Sequence, residues 1–212
     1  MIALPLASVE DIVFEVANVL RVPVLLAALV ALAVVLVELG ALAVELARRR
    51  RHDTAFLERT ATVARTTLAE SGATAAGNVL RAAATSDAVA AAYERMAGLA
   101  GRPGAEPRIA KSLADFDLRS LRRLERTRLL VRAGPALGLM GTLIPLSPAL
   151  SGLARGDVTR LTDNLRVAFS ITVLGLLVGA LAFGISLVRD RLYAQDLSDL
   201  EFVAAVLEEP AS

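Results

Sequence analysis

The chain has 212 residues, of which 55% are hydrophobic, 4% aromatic and none cysteine, with a formal net charge of +1 and a mean hydropathy of +0.58. Its apolarity is therefore alanine, leucine and valine, a composition suited to helices rather than sheet cores. Without cysteine there is no disulfide framework, thiolate metal site or thiol nucleophile, and His52, the one histidine, cannot form a cluster.

In chain order, residues 1–21 carry Glu10, Asp11 and Glu15 where a removable signal peptide would be uninterrupted and apolar. Val9, Ile12, Val13, Val16 and Leu20 share a helical face, which predicts a short amphipathic N-terminal helix lying on a membrane surface. Residues 22–47 form the first long apolar run. At 1.5 Å per residue it exceeds the roughly 20 residues that cross about 30 Å of hydrocarbon. Glu38 falls near its middle, where a carboxylate costs roughly 2.5–3.5 kcal/mol on insertion scales. It is a candidate for the ion pathway, against the plainer reading of a protonated or hydrogen-bonded packing residue. Glu45 is expected to pair with Arg48 and Arg49, three and four residues on.

Arg48, Arg49, Arg50 and Arg51 follow directly, and residues 48–132 hold most of the 23 lysines and arginines. The positive-inside rule assigns this segment to the cytoplasm. Residues 53–72 and 73–99 read as helical, Gly101-Arg102-Pro103-Gly104 is the clearest break, and a helix restarts at Arg108. Along it Leu113, Phe116, Leu121 and Leu124 make an apolar stripe. The basic residues suit phosphate headgroups at a membrane surface, and with no aromatic platform beside them nucleic acid is not an expected partner.

The second apolar run, 133–153, and the third, 167–188, are joined by a short link, 154–166, with a weaker basic bias, which suits the outer side. Residues 189–212 continue the third run as an amphipathic tail using Leu192, Leu197, Leu200, Val203 and Leu207. The expected fold is an all-α membrane protein with three transmembrane helices, long cytoplasmic helical extensions, an outer N-terminus and a cytoplasmic C-terminus. In the second run Pro135, Gly138, Thr142, Pro145 and Ala149 repeat at three and four residues. In the third, Ala168, Thr172, Gly175, Gly179, Ala182 and Ser186 fall on one line, with Gly175 and Gly179 as a GxxxG pair. Such faces let backbones approach closely, which makes Gly138, Gly141, Gly175 and Gly179 candidate helix-packing residues. The hydroxyls of Thr142, Thr172 and Ser186 on these faces either bond a carbonyl one turn earlier or line something polar.

Gly134-Pro135-Ala136-Leu137-Gly138-Leu139-Met140-Gly141-Thr142 resembles the second-helix signature of the MotA/TolQ/ExbB proton-channel family. Ala168-Phe169-Ser170-Ile171-Thr172-Val173-Leu174-Gly175-Leu176 resembles that family's third-helix signature. The resemblance implies a channel-forming subunit of an ion-driven motor in the plasma (inner) membrane. It also implies a homo-oligomer, typically a pentamer, around single-helix partners of the ExbD/TolR/MotB kind that carry an intramembrane aspartate. Thr142 and Thr172 occupy the family's pore-lining threonine positions, and Ser170 and Glu38 join them as candidate ion-pathway residues. Val167 stands where the TolQ/ExbB branch commonly has glutamate. No cofactor, metal or enzymatic activity is expected, since no triad, phosphate loop or ligand spacing is present. The alternative from another class is a non-conducting oligomeric scaffold that holds partner helices through its glycine faces.

Overall fold

The structure, a computed structural model, describes residue 12, residues 15–49 and residues 53–209. Most of the N-terminal segment expected to be amphipathic lies outside the described residues. Among the described residues the helices after Leu20 are, in order, α1 (Arg21–Arg48), α2 (Thr54–Ser71), α3 (Ala73–Ala82), α4 (Asp87–Leu99), α5 (Ala105–Ala154) and α6 (Val158–Glu208). Among the described residues there is no strand. Three of the described helices are long and apolar enough to cross a membrane: α1 extended back to Glu15, α5 and α6.

The chain divides into two compact units, Met1–Gly40 with Arg126–Ser186, and Ala41–Glu125 with Leu187–Ser212. In the first, α1 buries Val24, Ala28, Ala31 and Val35 at alternating four- and three-residue steps, the stripe of a helix packed along one face. Its other side exposes Leu26, Leu29, Val30, Leu36 and Val37, an apolar surface that suits lipid or neighbouring subunits rather than water. Arg21 donates from Nη2 to Asn164 Oδ1 at 3.0 Å, tying the start of α1 to the first turns of α6.

Pro135, Pro145 and Pro148 all lie inside α5 without ending it. Each lacks an N–H, which leaves the carbonyls of Val131, Gly141 and Ile144 without their usual helical donor. The link between α5 and α6 is only Arg155–Asp157 long, with Gly156 at φ 79° making the turn. The 154–166 link expected from charge is therefore mostly helix. Val158, Leu161 and Leu165 supply helical spacing, and charged neighbours do not oppose a helix whose side chains reach solvent.

The second unit has a core of small side chains, with Ala61 and Ala64 of α2, Ala76 and Leu80 of α3, Tyr93, Met96 and Ala97 of α4, Ile109 and Phe116 of α5, and Leu200, Val203 and Leu207 of α6. Alanine at these positions brings helix axes close, while Tyr93, Leu80 and Met96 fill the remaining space. The expected single helix over 73–99 is interrupted at residues 83–86, where Ser86 caps α4 by accepting from the Val89 N–H at 3.3 Å. At the Gly101-Arg102-Pro103-Gly104 break both glycines have positive φ, 73° and 71°. There α5 starts at Ala105, earlier than expected, because Pro107 falls in the first turn, where a missing N–H is harmless.

One polar network is buried in this unit. Arg49 forms a short ion pair with Asp196 and also donates from Nη2 to the Leu192 carbonyl at 3.1 Å. The Thr85 hydroxyl donates to Asp196 Oδ1 at 2.6 Å. Burial pushes the Asp196 carboxyl above the usual carboxylate range, against the opposing pull of the Thr85 and Arg49 bonds. Glu45 does not take the expected partners. Its carboxylate lies 3.6 Å from Arg189 Nε and 3.5 Å from the Tyr193 hydroxyl, because α1 ends at Arg48 and Arg49 turns toward Asp196 instead.

Candidate functional site

The α5/α6 seam of the first unit is built on glycine. A Cβ placed on Gly175 would stand 2.5 Å from the Gly134 carbonyl oxygen and 2.8 Å from both N and Cα of Gly138. On Gly134 it would lie 2.7 Å from the Gly175 oxygen and 2.8 Å from the Gly179 nitrogen. These are backbone atoms, so no side-chain rotation relieves the clash, and only glycine permits the approach. Gly179 meets the Pro135 ring, and Gly141 meets the Ile171 side chain. Thus Gly138, Gly141, Gly175 and Gly179 all sit in the seam. Pro135, placed on this face by its spacing, belongs there, and so does Gly134, which that spacing did not include although it lies four residues before Gly138.

This close approach brings two hydroxyls to one acceptor. Thr172 Oγ1 lies 3.2 Å from the Gly138 carbonyl oxygen, across the seam, and 3.3 Å from the Ala168 oxygen of its own helix. Thr142 Oγ1 donates to the Leu139 oxygen at 2.8 Å and stands 3.5 Å from the same Gly138 oxygen. Both side chains are half-buried. Each hydroxyl has its hydrogen directed at a carbonyl and keeps lone pairs free to accept, which is what a relay or a cation ligand requires.

Ser170 is not part of this convergence. It is exposed and donates to the Arg166 carbonyl at 2.8 Å. It lines a separate groove of about 520 Å³, walled by Leu25, Ala28 and Leu29 of α1 and by Arg166, Val167 and Ile171 of α6. Val167 therefore presents an apolar wall to that groove. Glu38 is half-buried three residues beyond Val35, continuing the inward stripe of α1 rather than its exposed side.

Residues 108–201 match the model of the MotA/TolQ/ExbB proton channel family, a span that contains the whole seam. A search of curated proteins finds no match to the chain. A match to this channel family, on a chain with three described helices long and apolar enough to cross a membrane, points to a membrane protein. Within that segment the two glycine-rich stretches face each other, and Thr142 and Thr172 flank the Gly138 carbonyl.

Proposed function

We propose that the chain is a proton-conducting, non-enzymatic subunit of an ion-driven membrane motor, assembled as a homo-oligomer, with five copies implied by the family, around partner helices of the ExbD/TolR/MotB kind. Its N-terminus lies outside the plasma membrane and its C-terminus in the cytoplasm, and ion flow past a partner aspartate is coupled to mechanical work at the cell envelope. The observation that carries this reading is the pairing of Thr142 and Thr172 at the Gly138 oxygen inside the family-matched segment. Two hydroxyls with free lone pairs, held by glycine packing in an otherwise apolar pair of helices, offer a proton successive acceptors. Ser170 and Glu38 stand outside that pair and act, in this proposal, as accessory polar groups along the pathway.

The scaffold reading draws on the same contacts, because a hydroxyl bonded to a neighbouring helix's carbonyl also fastens the two helices together. Substitution of Thr142 and Thr172 by valine separates the two. Co-expression with chromosomal neighbours and reconstitution into vesicles should give a complex with a single-helix partner whose proton flux is lost in T142V and T172V while assembly persists. Undiminished flux with both hydroxyls gone would leave only the scaffold.

A further inference from the structure

The groove between α1 and α6 in the first unit changes character along its length. Asp163 and Arg166 of α6 stand at one end, and toward the other the wall is made by Leu25 and Leu29 of α1 with Val167 and Leu174 of α6. Ser170, also on the wall, spends its hydroxyl hydrogen on the Arg166 carbonyl and so adds no donor. Arg166 is the last charged residue before the apolar run 167–188, and Arg21, the last before the uncharged stretch 22–37 of α1, is tied to Asn164 beside it. The charged end of the groove therefore coincides, on both helices, with the edge of the hydrocarbon. From Arg166 to Leu174 the apolar wall then runs roughly 12 Å inward at 1.5 Å per residue. The groove volume of about 520 Å³ falls within the roughly 300–1,000 Å³ of small-molecule sites.

The charges at its mouth are not committed elsewhere. Asp163 and Arg166 lie three residues apart on one helix, a spacing at which opposite charges can pair, yet among the described residues neither side chain enters an ion pair or a hydrogen bond. Both are exposed. A fixed cation and a fixed anion beside an apolar slot complement an amphiphile whose head carries a phosphate and a primary ammonium a few atoms apart. A net-anionic head would set its charge beside Asp163 with nothing to answer the carboxylate, and a trimethylammonium has no N–H to donate to it.

We propose that this groove holds one phosphatidylethanolamine of the bilayer, with its phosphate on the Arg166 fork, its ammonium on the Asp163 carboxylate and one acyl chain along Leu25, Leu29, Val167 and Leu174. The inference stands whether or not the α5/α6 seam conducts ions.

The test exchanges the full chain into nanodiscs of equimolar phosphatidylethanolamine, phosphatidylcholine and phosphatidylglycerol with identical acyl chains, and native mass spectrometry counts the lipids that stay bound. The wild type should retain phosphatidylethanolamine about two- to fivefold over either competitor, the size of a contact between exposed charges. Asp163→Asn should erase the preference over phosphatidylcholine, and Arg166→Gln should lower retention of all three. Leu29→Trp fills the slot from an exposed position and should cut the retained phosphatidylethanolamine, whereas Val37→Trp, exposed on the same helix outside the groove, should not. Equal retention of the three heads by the wild type, or equal effects of the two tryptophans, would overturn the site. An oligomer that falls apart in Leu29→Trp with its lipid count unchanged would overturn it too, because a second copy of the chain would then be the occupant.

Discussion

Asp196→Leu should destabilise the second unit severely, and adding Arg49→Met should restore most of the loss. The Asp196 side chain is 3% exposed and its partner's is 9%, so both charges are desolvated and screened little by salt. Removing the carboxylate leaves a guanidinium with only the Leu192 carbonyl as a neutral acceptor, and the Thr85 hydroxyl loses its acceptor. Orphaning a buried charge in this way costs about 3–5 kcal/mol. The double replacement removes both desolvation penalties and fills the space with methylene groups, so it should lie near the wild type or above it by about 1–4 kcal/mol. Thermal unfolding of the four proteins in one detergent, followed by circular dichroism, completes the double-mutant cycle. A loss below about 1 kcal/mol for Asp196→Leu, the range of an exposed pair, would refute the claim that this pair is buried and interdependent.

The same carboxyl carries a pH signature. Because burial raises it, its contribution to stability is fully present below the ordinary unfolded carboxylate value and is lost as pH rises through the higher folded value. Asp196→Asn, whose amide oxygen still accepts from Arg49 and Thr85, should flatten that part of the stability profile, as denaturation at a series of pH values would show. In the first unit, Gly175→Ala and Gly134→Ala should each cost about 1–3 kcal/mol by forcing backbones apart, whereas Gly184→Ala, with nothing within 4 Å, should be neutral. Protease accessibility of α5 and α6 in detergent separates these outcomes, and equal behaviour of Gly175→Ala and Gly184→Ala would contradict the seam.

Hydrophobic run length made the existence of α1 legible, though not its extension back to Glu15, and the Gly101-Arg102-Pro103-Gly104 break was legible because positive φ demands glycine. The interruption before Ser86 was not, since Ala83 and Ala84 are strong helix formers and only the Ser86-Asp87 cap marks the restart. Small-residue spacing revealed that Gly138, Gly175 and Gly179 share faces, but not that the Thr172 hydroxyl reaches the Gly138 oxygen, because spacing describes one helix at a time. The Arg49 pairing lay beyond reach for the same reason. Its partner Asp196 is 147 positions away, whereas sequence spacing offered Arg49 only the local Glu45 as a partner.

The glycine seam also constrains mechanics. Where two backbones touch with no side chains between them, there is nothing compliant to shear, and sliding by even a fraction of a turn would drive peptide groups into one another. The α5/α6 pair of the first unit is thus a single stiff stave. Any displacement of this unit that does work must therefore be taken up at boundaries softer than the seam itself.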